Sequence, residues 1–143
     1  MFPHAETLAR HTNGRALLRT MLQLDGVASG AMGVAFLAGS AFLTGGAALD
    51  EALGLPSTLL WVVGAFLVPY AAALFVLASR PEINRVAAWT IVVGNLVWTV
   101  DSVLLAVAGW YDVTLLGEVI VLAQAIAVLG FAGLQYLGLR RSA

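Results

Sequence analysis

The chain has 143 residues, of which 61% are hydrophobic and 10% charged, with a formal net charge of −1 and a mean hydropathy of +0.94. Charged residues make up about a quarter of an ordinary soluble domain, so this composition predicts an all-α polytopic membrane protein: one four-helix transmembrane bundle over residues 1–143, with no separate soluble domain. Cysteine and lysine are both absent, which removes disulfides, thiol redox chemistry, thiolate metal sites and a retinal-type Schiff base from the possible chemistries.

In chain order, residues 1–16 form a polar N-terminal segment with Arg10, Arg15, His4 and His11. Pro3 in a first turn and Gly14 at an end predict a short helix lying on the membrane surface, with a frayed basic tail as the alternative. The apolar run that follows is too long for a signal peptide. Span 1 is expected over about 17–43, with Gly26, Ser29, Gly30 and Gly33 spaced as small-xxx-small pairs that let helix backbones approach in lipid. Asp25, six residues beyond Arg19, lies about 9 Å along the helix from it and is expected near the boundary, reaching to the interface or pairing with an arginine.

Residues 44–56 read as a loop with two acids, no base and one short interfacial turn. Span 2 follows over 57–78, with Ser57 or Thr58 as a cap and Pro69 set to kink it beside Tyr70. After the polar turn 79–85, span 3 runs over 86–109 and carries Asn95, Trp98, Asp101 and Ser102 inside an apolar stretch. Trp110, Tyr111 and Asp112 form an interfacial turn. Span 4 covers 114–137 and ends at Gly138. Short connections make spans 2 and 3, and spans 3 and 4, antiparallel neighbours.

All seven basic residues are arginines that fall on one side: Arg10, Arg15 and Arg19 before span 1, Arg80 and Arg85 between spans 2 and 3, Arg140 and Arg141 after span 4. The opposite connections hold Asp50, Glu51 and Asp112. The positive-inside rule therefore puts both termini in the cytoplasm.

Six residues stand out as ligand-binding or proton-coupling candidates: Asp101, Asn95, Glu118, Trp98, Asp25 and Gln124. An ionised carboxylate within a span costs several kcal/mol, so Asp101 must face other helices or a wet cavity, be paired, or keep its proton. Asp101 and Glu118 fall at similar heights on adjacent helices. Facing each other across spans 3 and 4, they would share a proton or hold a cation. On span 3, Gly94, Trp98, Asp101 and Leu105 follow one helical stripe, flanked by Asn95, Thr99 and Ser102; on span 4, Gly117, Gln124, Phe131 and Gln135 do the same. The structural alternative is that Asn95, Asp101, Ser102, Gln124 and Gln135 tie the helices together by hydrogen bonds. No catalytic set, metal set or cofactor motif is visible, no histidine lies in a span, and the arginines of 79–85 suit topology or anionic lipid rather than nucleic acid.

Asp25, the Arg80–Pro81 turn, the GN-xx-W-xx-DS run (Gly94, Asn95, Trp98, Asp101, Ser102), Gly117 with Glu118, and the final LQYLGLRR together make a pattern that resembles small, uncharacterised four-span bacterial integral membrane proteins. The resemblance implies a multi-pass protein of the bacterial plasma (cell inner) membrane and carries no activity with it. The favoured reading is a small membrane protein whose polar intramembrane pocket binds a small or lipid-like ligand, or which serves as an accessory subunit. Membrane lipids and a second copy or partner membrane protein are its expected neighbours. The alternative is an oligomeric proton- or cation-coupled transporter using buried carboxylates; an intramembrane enzyme has least support.

The arginine placement makes a testable statement. Cytoplasmic reporters fused at either terminus are expected to be active, and cysteines placed at Asp50 and Asp112 to be labelled by a membrane-impermeant reagent from outside. Outside labelling of a cysteine at Glu82 would reverse the topology.

Overall fold

A computed structural model describes residues 3–40 and 48–142. Five helices account for nearly all of it: α1 (Pro3–Gly39), α2 (Ala48–Leu53), α3 (Ser57–Ser79), α4 (Arg85–Val107) and α5 (Leu115–Arg141). All except α2 are long and apolar enough to cross a membrane. Large apolar side chains such as Val62, Val93, Val107 and Ile126 point outward from them, as they do where lipid rather than water is the solvent and the backbone must satisfy itself within each helix.

The helix boundaries differ from the expected spans in instructive ways. α1 does not stop at Gly14; its 37 residues make one rod about 55 Å long at 1.5 Å per residue, so the expected surface helix is the continuation of span 1. At its other end α1 stops at Gly39, and the expected extension over 41–43, with the start of the following loop at 44–47, lies outside the described residues. α5 likewise runs through Gly138 to Arg141. Both glycines are used for close approach: a Cβ at Gly138 would sit 2.8 Å from the Leu18 nitrogen, and one at Gly14 would sit 2.7 Å from the Arg141 Cβ. They mark the crossing of α1 and α5.

On its other side α1 lies against α3 through the glycines that the small-residue spacing singled out. Cβ atoms at Gly26, Gly30 and Gly33 would meet Phe75, Ala71 and Leu67 at 3.0, 3.3 and 3.0 Å, and Gly64 on α3 returns the contact against Gly33 and Leu37. α4 packs on α5, where Trp89 meets Tyr136 edge to face at a centroid distance of 5.5 Å. The order around the bundle is therefore α3, α1, α5, α4. The expected close pairing of spans 2 and 3 does not occur: α3 and α4 have no extended contact, because α1 takes up the glycine face of the bundle and a short connection only keeps two helix ends together.

Caps are supplied by residues other than those expected. Neither Ser57 nor Thr58 caps α3, whose N-cap position is Pro56. Asn84 caps α4 by accepting from the Ala87 N–H at 3.1 Å, and Thr114 caps α5 by accepting from the Gly117 N–H at 3.0 Å. Thr114 also donates to the Ala52 carbonyl at 2.6 Å, fastening α2 against the start of α5. Gly54, at φ 69°, ends α2 in the left-handed region, and the connection before α5 passes so close that a Cβ there would collide with the Asp112 carbonyl.

Two arginines expected to mark topology also tie helix ends. Arg19 donates to the Arg80 and Pro81 carbonyls at 3.1 and 3.3 Å, and Arg85 to the Leu139 carbonyl at 3.0 Å and the Ser142 hydroxyl at 3.1 Å. Cations at the C-terminal ends of α3 and α5 also suit the helix dipole. An apolar core of Leu18, Leu22, Leu74, Ala78, Ala88, Val92 and Leu139 fills this arginine end, and a second around Leu53, Leu55, Leu60, Ala106 and Val121 fills the opposite one.

Glycine substitutions on α5 are expected to have opposite signs. Nothing lies within 4 Å of a Cβ at Gly130, so Gly130→Ala should raise stability by up to about 1 kcal/mol through helix propensity. Gly138→Ala should lower the unfolding temperature in detergent. Equal shifts of the two would argue against the α1–α5 crossing.

Candidate functional site

Between the two apolar cores, one polar side chain from α1 organises contacts to every other long helix. Asp25 is 1% exposed, Asn95 3% and Gln135 0%. Asp25 Oδ2 accepts from Asn95 Nδ2 at 2.8 Å and from Gln135 Nε2 at 2.9 Å, and Oδ1 accepts from the Ser29 hydroxyl at 3.1 Å. Asn95 donates further to Gln135 Oε1 at 3.1 Å and accepts from the Tyr70 hydroxyl at 2.8 Å. Tyr70 is itself held by stacking on Phe66 at a centroid distance of 5.6 Å. α1, α3, α4 and α5 are thus joined in one layer.

This corrects the expectation for Asp25. It neither reaches to the interface nor meets an arginine; among the described residues it forms no ion pair, and its neighbours are amides and a serine. The cause is its place on the glycine face of α1, beside Gly26 and one turn before Ser29, which is turned inward by packing between α3 and α5. Arg19, the nearest base in sequence, is engaged with the α3 C-terminus.

Above this layer, away from the arginine end, lies a cavity of about 340 Å³. Asp25, Ser29, Tyr70 and Asn95 form its polar floor, and its walls are apolar, including Met32, Leu67, Val128 and Phe131. Phe66 on α3 and Val97 and Asp101 on α4 line the cavity and are also exposed on the outside of the chain. The cavity is therefore open sideways, along the seam where α3 and α4 do not pack. A second cavity of about 360 Å³ lies beyond it, toward α2, with Leu53, Trp110 and Tyr111 in its wall.

The two cavities share Met32, Trp98, Asp101 and Gln124. Trp98 and Gln124 form the partition: the indole N–H donates to Gln124 Oε1 at 2.8 Å, and Gln124 Nε2 donates to the Val121 carbonyl at 2.8 Å. The helical stripe of Gly94, Trp98, Asp101 and Leu105 faces these cavities, as its spacing predicts.

Asp101 faces the cavities, one of the placements expected of it, and does not meet Glu118 across spans 3 and 4. It is exposed at the seam and has no hydrogen bond or ion pair among the described residues. Glu118 is half-buried in the first turn of α5, where a carboxylate suits the helix dipole, and it lines neither cavity. The facing carboxyl pair does not form, because Asp101 turns toward the seam with α3 while Glu118 stays at the α5 N-terminus. Of the six candidates, Asp25 and Asn95 meet in the floor, Trp98 and Gln124 in the partition, Asp101 stands at the mouth and Glu118 stands apart. Tyr70 and Gln135 belong to the same layer and are not among the six. Gln135 is visible in sequence only as a polar member of the α5 stripe, and Tyr70 only as the residue after Pro69. No three or more histidine, aspartate or glutamate side chains come together as metal ligands among the described residues.

Fold and site together define an all-helical chain with four helices of membrane-spanning length around a laterally open cavity with a polar floor. No family model, curated protein or solved structure matches it.

Substitutions of Asp25 separate geometry from charge. Asp25→Asn can present its carbonyl to Asn95 and Gln135 and its amide to the Ser29 oxygen, so the layer should survive with a small loss of thermal stability. Asp25→Leu leaves donors from three side chains unpaired, at about 1–3 kcal/mol for each buried group, and should lower the unfolding temperature far more. Equal effects would mean that the layer does not hold the helices together.

Proposed function

We propose that the protein is a multi-pass membrane protein, with both termini cytoplasmic, that binds a small or lipid-like molecule in the cavity above Asp25. The observation that carries this reading is the cavity's form: a pocket of ligand size, apolar in its walls, polar at one end and open along the α3–α4 seam toward the space that lipid would fill. A single-chain amphiphile suits such a shape, with its chain against Phe131, Leu67 and Val128. The bacterial plasma membrane is the location that the sequence pattern suggests. A transport role is favoured by one further observation, the stacking of two cavities on either side of the Trp98–Gln124 bond, and would require that bond to break during each passage.

Binding is measurable through Trp98. In a full-length variant with Trp61, Trp89 and Trp110 replaced by phenylalanine, embedded in nanodiscs, 11-bromoundecanol should quench the remaining tryptophan saturably. Gly94→Phe should abolish saturation without unfolding the protein, since Gly94 lines the cavity and a Cβ there meets nothing within 4 Å. Quenching that rises linearly and identically with and without Gly94→Phe would refute the reading.

A further inference from the structure

We infer, resting on the cavity-binding reading above, that the ligand is a monovalent organic cation, an ammonium-type head carrying an apolar tail or ring, and that Asp101 is the residue that selects it. The chemistry of the walls is one-signed. Among the described residues, Asp25 and Asp101 are the charged ones lining the first cavity, Asp101 is the charged one lining the second, and no arginine or histidine lines either. The chain has no lysine, and its seven arginines all lie on the far side of the Asp25 layer.

The two carboxylates are not equivalent. Asp25 accepts three hydrogen bonds from side chains of α1, α4 and α5, so its oxygens are committed to holding the bundle. Asp101 has no partner among the described residues and stands six residues further along α4 than Asn95, about 9 Å above the polar floor at 1.5 Å per residue. A carboxylate within a span is expensive unless something neutralises it. A cationic head arriving along the seam would do so, whereas an anionic head would meet one or two like charges.

The aromatic side chains around Asp101 sharpen the class from any cation to an organic one. Trp98 lies in the wall of both cavities with it, Phe66 and Tyr70 on one side and Trp110 and Tyr111 on the other. Ring faces attract ammonium groups without stripping them of tightly held water, with Trp the strongest platform. A bare metal ion would find one unpaired carboxylate and aromatic rings, far short of the oxygen cage that hard cations need.

The test uses the same nanodisc-embedded, single-tryptophan protein with three probes that share a tail: 11-bromoundecyltrimethylammonium, 11-bromoundecanol and 11-bromoundecyl sulfate, each corrected for its partition into protein-free nanodiscs. The cation is expected to saturate Trp98 quenching at a concentration at least tenfold below the alcohol, with the sulfate weakest. Asp101→Asn should erase that preference while leaving the unfolding temperature unchanged, since Asp101 supports no hydrogen bond among the described residues. Equal binding of cation and alcohol to the unsubstituted Asp101 protein would overturn the cation assignment and leave the cavity reading standing. A cation preference that persists in Asp101→Asn would overturn the role given to Asp101. Saturation by none of the three probes would overturn both readings.

Discussion

Everything in this bundle depends on a carboxylate at a crossing where no base can reach it. Asp25 sits on α1, which packs along both α3 and α5, and its oxygens gather the amides of Asn95 and Gln135, with Tyr70 added through Asn95. In lipid there is little hydrophobic drive between apolar helices, so packing and interhelical hydrogen bonds set their arrangement, each bond giving less than about 2 kcal/mol. One layer that links four helices constrains their rotation as well as their distance. Rotating α4 by one residue would take Asn95 out of the layer and Trp98 out of the partition together.

The layer also explains why the bundle can afford a hollow. Apolar cores at both ends and a hydrogen-bonded layer between them fix the helices, so the space around Trp98 need not be filled for the fold to persist. Small residues on α1 bring α3 close on one side, and Gly138 brings α5 close on the other. The remaining circuit, from α3 round to α4, is left incomplete. The cavities occupy that gap.

Much of this was legible in the sequence. Hydropathy and length define four long helices, and the small-residue spacing of Gly26, Gly30 and Gly33 identifies the face of α1 that meets α3. The stripe through Gly94, Trp98, Asp101 and Leu105 identifies the face of α4 that lines the cavities. What failed were the inferences that needed a partner's position. Gly14 and Gly138 look like helix ends because glycine both ends helices and admits a neighbouring backbone, and only the crossing of α1 and α5 decides between these uses. Asp25 looks peripheral from its distance to Arg19, while its direction depends on packing that one helix's sequence does not contain. Asp101 looks enclosed from its depth alone, yet a residue at any depth can face an unfilled seam. The pairing of spans 2 and 3 was inferred from a short connection, which restrains two helix ends and not two helix faces.

That connection has a mechanical consequence. α3 and α4 are held together at the arginine end by a turn of five residues, 80–84, by the core that Leu74 and Ala78 share with Ala88 and Val92, and by the Tyr70–Asn95 hydrogen bond. Beyond Asn95 no comparable tie joins them among the described residues. The geometry is that of a clothes-peg whose spring is the turn: a tilt about it would displace the far ends, about 33 Å from the turn at 1.5 Å per residue, roughly twice as far as Tyr70 and Asn95, about 15 Å from it. Any such widening of the seam would be greatest beside Trp110 and Tyr111 and least at the polar floor, so a molecule drawn in sideways would enter high and settle downward, passing Asp101 before it reaches Asp25.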